Sequence, residues 1–265
     1  MSYAQVNGLN MYYEVHGSPS REGPLVLLHG GISNIETDFG LLLPSLAQGR
    51  QVIAIEQQAH GRTADIDRPL SIAQMAADTT ALLRQIGVEN ADFFGYSMGA
   101  AIALQVAIEH PELIRKLVLA AVSYKAEGAY SGTSDSVEEL DPEMMAATPF
   151  GEAYSRMAPN PDDWPRLLKK VGEWGRNIQD WTSEAVQSVQ APALLMYGDS
   201  DIVRPEHAVE LFRLLGGGVP GDLVGLPRSR LAILPGTTHI TLVHRAEWLI
   251  SMVTEFLEAP MPGDK

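Results

Sequence analysis

The chain has 265 residues, 45% of them apolar and 20% charged, which suits one globular α/β domain and is unlike a disordered or fibrous chain. Its 33 acidic and 19 basic residues give a formal charge of −14, and the densest basic stretch is only Lys169-Lys170, so a nucleic acid is excluded as a partner. There is no cysteine, which excludes disulfides, thiolate chemistry and cysteine-held metal or iron–sulfur centres.

The start, Met-Ser-Tyr-Ala-Gln-Val-Asn, lacks a basic and apolar leader. No apolar run nears the roughly 18 residues of a membrane span. The expectation is a cytoplasmic protein with no membrane partner. In chain order, Tyr3–Val6 and Met11–Val15 flank Asn7-Gly8, a hairpin signal. Leu25–Leu28, Val52–Ile55, Asp92–Phe94, Leu117–Val122, Ala193–Tyr197 and Leu231–Leu234 are short apolar runs. Continuous apolarity is what parallel strands covered on both faces require.

Helical patterns lie between these runs. Ser71 and Gln74 have the spacing of a capping box, followed by Ile72, Met75, Thr79, Leu82 and Ile86 on one face and Gly87 as a stop. Further helices are predicted over Met98–His110, before Pro111, and over Pro205–Leu215. The last carries Leu249, Val253 and Phe256 on one face. The pattern implies an α/β fold: a mostly parallel eight-stranded sheet with helices on both faces. From Tyr124 to Gln190 no strand pattern appears, and helical patches occur at Glu143–Ala147 and Pro165–Trp174. A bare loop of that length is uncommon, so residues 124–190 are expected to form a small helical cap on a core of residues 1–123 and 191–265. Gly216–Arg230, rich in Gly and Pro, is expected to be a surface loop.

Gly95-Tyr96-Ser97-Met98-Gly99 matches G-x-S-x-G between a predicted strand and a predicted helix. In that context the serine sits on a tight, strained turn, and side chains two positions either side would clash. The helix N-terminus there favours a developing anion. A serine hydroxyl needs a base. His239, after the last strand, emerges at the carboxyl edge of the sheet with Ser97; His244 lies close but at the start of the helix. His16, His110 and His207 are expected at the surface or at helix ends; His60 and His29 are expected to pack or prop loops. The base needs a carboxylate to orient it. Asp199 and Asp201 both follow the seventh strand, and Asp201, further past it, is preferred. Backbone N–H groups of Met98 and Gly31 are expected to form an oxyanion hole, with Gly30 or Ile32 as substitutes for Gly31. Gly216-Gly217-Gly218 lacks the lysine of a phosphate loop, and no His-x-x-x-His pair suggests zinc. No metal or organic cofactor is expected. Met144, Met145, Trp164, Trp174 and Trp181 are either cap core or pocket lining.

Together, His29-Gly30-Gly31, the serine turn, Asp201 and His239 resemble the α/β-hydrolase family, in its single-domain esterase branch with a cap. The chain order Ser, Asp, His is that of the family's triad. Glu56-Gln57-Gln58-Ala59-His60-Gly61-Arg62-Thr63 is similar to the family's turn after its fourth strand, although many members have Asp and Gly where Glu56 and Ala59 stand. The resemblance implies a serine hydrolase acting on a small ester-type molecule, a carboxylic ester or lactone, through an acyl-enzyme. Met98 is similar to the elbow residue of esterases and of perhydrolases alike. An amidase, a carbon–carbon bond hydrolase and a ligand-binding receptor with residual hydrolysis stay open. Dehalogenases and epoxide hydrolases of this fold use an aspartate where Ser97 stands. The oligomeric state is not legible.

Overall fold

Asn7 and Gly8 both adopt left-handed backbone angles, with φ of 48° and 86°. That turn matches strand twist, and it folds β1 (Ser2–Val6) antiparallel onto β2 (Leu9–His16). A computed structural model describes residues 2–132, 140–178 and 180–261. The sheet continues through β3 (Leu25–Leu28), β4 (Val52–Ile55), β5 (Ala91–Tyr96), β6 (Ile114–Ala120), β7 (Ala193–Ser200) and β8 (Arg230–Thr238). The spatial order is β1-β2-β4-β3-β5-β6-β7-β8. β2 pairs antiparallel with β4, and every pairing from β4 to β8 is parallel.

Alternation of side chains across β3 divides the core into two layers. Val26 and Leu28 join Phe93 beneath α3 (Ile72–Gln85) and α4 (Met98–Glu109). Leu25 and Leu27 join Phe94 on the other face, with α1 (Ile35–Phe39) and α2 (Leu43–Leu46). Ser71 caps α3 by accepting from the Gln74 N–H, but the Gln74 side chain donates to Asp78 instead of reaching back, so only half of the expected box forms.

β6 begins at Ile114 rather than Leu117 and stops at Ala120 rather than Val122. Arg115 and Lys116 hid its start. Lys116 is buried, and its ammonium donates to the carbonyls of Phe256, Leu257 and Ala259 at the end of the last helix.

Between β6 and β7 the described chain carries α5 (Pro142–Ala146), α6 (Pro149–Met157), α7 (Trp164–Arg176) and α8 (Ser183–Gln187). The sequence patterns caught parts of α5 and α7 and missed α6 and α8. Pro142, Pro149 and Pro165 look like breakers but sit in first turns, where a missing N–H costs nothing. The segment is tied down by polar contacts. Lys170 Nζ lies 2.8 Å from Asp65 Oδ1 and also donates to the carbonyls of Ile66 and Arg68. Trp181 Nε1 donates to Gln105 Oε1 at 2.6 Å. Arg156 pairs with Glu36 of α1.

After β7 come α9 (Pro205–Leu214), the short α10 (Gly221–Val224) within the expected surface loop, and α11 (Ala246–Glu258). Leu249, Val253 and Phe256 of α11 are buried as their spacing predicts. His207 lies at a helix end as expected, in the first turn of α9, but it is buried rather than at the surface, stacked 4.6 Å from the Tyr124 ring, with Nε2 accepting from the Tyr124 N–H. Its sequence neighbours gave no sign of Tyr124. Among the described residues, no helix is long and apolar enough to cross a membrane.

Candidate active site

β5 ends at Tyr96, directly before Ser97, and α4 starts directly after it. Ser97 has φ 52° and ψ −116°, a strained geometry for a residue with a side chain. The flanking glycines make that turn possible. A Cβ on Gly99 would lie 1.9 Å from the Leu28 carbonyl oxygen, and one on Gly95 would lie 2.3 Å from that of Gly99. Serine often caps a helix, yet Ser97 makes no capping bond. Its Oγ lies 2.9 Å from His239 Nε2.

His239 follows the end of β8, which extends to Thr238, beyond the expected Leu234. Its Nδ1 lies 2.8 Å from Asp201 Oδ1. A carboxylate only accepts, so Nδ1 carries the proton and Nε2 is left to accept from Ser97. Asp201 is buried, and the N–H groups of Val203 and Gly198 also point at its carboxylate, at 3.2 and 3.4 Å. Asp199 has a different task. β7 runs on to Ser200, and Asp199 accepts from the N–H groups of Gly236 and Thr237, which hold its carboxyl below the usual range. His244 is exposed at the end of a 3-10 turn. Tyr96 steadies His239 from below: its hydroxyl donates to the His239 carbonyl at 2.9 Å, and the ring centroids are 5.4 Å apart.

The loop after β3 is pinned at nearly every polar group. The Gly30 N–H donates to Asp38 Oδ2 at 2.8 Å, and the Ile32 N–H donates to His60 Nε2 at 3.2 Å. Ser33 Oγ lies 2.5 Å from the same Asp38 oxygen. His29 Nδ1 donates to the Gly30 carbonyl, and its Nε2 accepts from the Gln57 N–H. Burial pushes His29 down to about 3 and His60 down to about 4, so both stay neutral and can accept. With the N–H groups of Gly30 and Ile32 engaged, that of Gly31 remains, in the cavity that Ser97 also lines. The tight turn needs Ile32 at φ 56°, a conformation unusual for a β-branched residue.

The turn after β4 explains its departures from the family pattern. Glu56 accepts from the Arg62 N–H and pairs with its guanidinium at 3.0 Å, filling the space a Cβ on Gly61 would need. Ala59 takes φ 67°, which suits the glycine common there.

Asp38 escaped the sequence reading. It is buried, it lines the cavity, and burial pushes its carboxyl up to about 6. A signal existed: Asn34 and Thr37 form a capping box, and Asp38 falls on the inward face with Ile35 and Phe39.

The cavity above Ser97 measures about 370 Å³. Val171 and Trp174 of α7 close over the loop: a Cβ on Gly31 would lie 3.3 Å from Val171 Cγ1 and 3.9 Å from Trp174 Cζ3. Trp174, Trp181 and Met145 line the cavity, whereas Met144 is exposed and Trp164 packs against Tyr154. Among the described residues, no group of three or more His, Asp or Glu is arranged to hold a metal ion.

A strained serine on a strand-to-helix turn, joined through histidine to a buried aspartate, defines a class of fold and site that comparison identifies. A family model described as alpha/beta hydrolase fold matches residues 23–164. The chain belongs to the α/β-hydrolase fold family. It is 31% identical over 283 residues to pyrrolizixenacetamide deacetylase of Xenorhabdus hominickii, covering 97% of this chain and 98% of that protein. It is 30% identical over 159 residues to RutD of Azorhizobium caulinodans, covering 60% of this chain and 57% of that relative, little more than half its length. Among solved structures, MGS-M2, an alpha/beta hydrolase enzyme from a Medee basin deep-sea metagenome library, superposes with a TM-score of 0.77 over 100% of both chains at 16% identity. That likeness is one of fold.

Proposed function

We propose that the protein is a serine hydrolase that cleaves a small ester-type substrate, a carboxylic ester or lactone, through an acyl-enzyme. Residues 124–190 act as the cap that encloses the substrate. The observation that carries this reading is the unbroken hydrogen-bonded series from Ser97 Oγ to His239 Nε2 at 2.9 Å and from His239 Nδ1 to Asp201 at 2.8 Å, at a cavity that Ser97 and His239 both line. Ser97 Oγ attacks the carbonyl carbon as His239 Nε2 takes its proton. Asp201 holds the imidazole in that tautomer and stabilises the imidazolium. The N–H groups of Met98 and Gly31 hold the oxyanion. His239 then gives the proton to the departing alkoxide, and the acyl group stays on Ser97. Water, deprotonated by His239, attacks that ester, and His239 returns the proton to Ser97 Oγ as the acid leaves.

The same constellation serves an amide. The deacetylase relative matches over nearly its full length, which favours amide hydrolysis as the second reading. The amine leaving group then takes the proton from His239. A receptor with residual hydrolysis would not need the full series, which is intact here.

The experiment is turnover of p-nitrophenyl butyrate and of p-nitroacetanilide by wild type and Ser97→Ala, together with labelling by a fluorophosphonate. The expected result is labelling at Ser97, ester turnover, and a loss of about 10⁴-fold or more in kcat for the variant. Turnover equal to wild type in Ser97→Ala rejects the reading. Labelling of Ser97 without multiple turnover on either compound favours the receptor.

A further inference from the structure

The cavity wall is almost entirely hydrocarbon and aromatic. Phe150, Val171, Trp174, Trp181, Ile202 and Ile240 surround the reacting serine. Among the described lining residues, Asp38 is the only carboxyl group and His239 the only basic side chain. No Lys or Arg is among them. Of the five cations on α5–α8, Lys170 and Arg166 pair with Asp65, Arg156 pairs with Glu36 and Lys169 pairs with Glu173, and Arg176 is not among the lining residues. Residues 133–139 and 179 lie outside the described ones; in sequence they contribute Asp135, Glu138 and Glu139 and no Lys or Arg.

Resting on the hydrolase reading above, we infer that this site selects an electrically neutral substrate whose non-reacting part is hydrocarbon or aromatic, and that it rejects the same molecule carrying a carboxylate. An apolar group gains by leaving water for this wall. A carboxylate entering it would lose its hydration with no cation to receive it, beside Asp38 and His239, whose ring nitrogens are already engaged by Ser97 and Asp201. Specificity here comes from an absent partner, which discriminates strongly because burying an unpaired charge is far more unfavourable than burying an ester group.

The test uses two compounds of nearly equal size: p-nitrophenyl methyl adipate, which is neutral, and p-nitrophenyl hydrogen adipate, whose far end is ionised at neutral pH. Wild type supplies kcat/KM. The Ser97→Ala variant supplies Kd through quenching of tryptophan fluorescence, since Trp174 and Trp181 wall the cavity. Both are measured in about 0.5 M sodium chloride, which screens the overall negative field and leaves short-range effects. The expected result is a preference of about a hundredfold or more for the neutral ester in kcat/KM, with a matching ratio in Kd. Ratios within about threefold overturn the inference and leave the hydrolase reading standing. If wild type turns over neither ester, the hydrolase reading fails, and the Kd ratio still decides the inference.

Discussion

His239 Nδ1 lies 2.8 Å from Asp201 Oδ1, while Asp199, two residues earlier, accepts from the backbone N–H groups of Gly236 and Thr237 and from Ser200. Two aspartates in one turn therefore have separable roles. Asp201→Asn offers an amide donor to Nδ1 and favours the wrong tautomer. It is expected to lower kcat by about 10³–10⁴-fold with KM little changed. Asp199→Asn is expected to stay within about tenfold of wild type. Steady-state kinetics on an ester checks both, and the reverse ordering would reassign the orienting residue.

The glycines of the serine turn are crowded where an open glycine such as Gly87 is not. Gly99→Ala forces a methyl group to within 1.9 Å of the Leu28 carbonyl oxygen. The expected loss of stability is about 3 kcal/mol or more, with activity abolished. Gly87→Ala is the comparison: φ is 79° but nothing lies near the missing Cβ. It should lose only about 1–2 kcal/mol, the conformational penalty alone. Urea unfolding of both variants measures the difference.

Asp38 holds the loop after β3 through the Gly30 N–H and Ser33. Asp38→Ala leaves that N–H without its acceptor and frees the loop. The expected result is a fall of about tenfold to a hundredfold in kcat with KM within about threefold, because in the proposed mechanism the Gly31 N–H serves the transition state more than the bound substrate. Asp38→Asn keeps an acceptor and should recover most of the loss. Equal losses in the two variants would point to the charge rather than the hydrogen bond.

Burial pushes Glu56 up to about 7, against the pull of Arg62. The folded state holds this proton more tightly than the unfolded chain does. Its contribution to stability is present at low pH and fades as pH rises from the ordinary glutamate range through about 7. The buried, neutral His29 and His60 slope the other way, losing stability as pH falls below the ordinary histidine range. Whole-protein curves therefore mix opposing terms, and the informative quantity is the difference from Glu56→Gln. Wild type is expected to lose about 1–3 kcal/mol relative to that variant between about pH 5 and pH 8. A constant difference would place the Glu56 proton off in both states.

Much of the site was legible because its chemistry needs rare local features. The strained turn at Ser97 demands small residues at fixed offsets, and Gly95, Gly99 and Ala100 supply them. His239 was legible because a parallel strand delivers its next residue to the carboxyl edge. Asp38 was hidden because its partner is a backbone N–H eight residues back, which no side-chain pattern records. The apolar run begins at Leu117, but the strand takes in Lys116 as well, whose three carbonyl partners lie about 140 positions away.

The sequence by itself determined the succession of strands along the chain, the strained serine turn, and Ser97 and His239 as candidates for its chemistry, since these follow from short-range sterics and periodicity. Only the tertiary structure separated the tasks of Asp201 and Asp199, engaged the N–H groups of Gly30 and Ile32, and set a largely apolar wall around Ser97. Those outcomes depend on distances between segments far apart in the chain. Such distances are set by how the two core layers and the α5–α8 segment pack, a collective property that no local stretch of residues encodes.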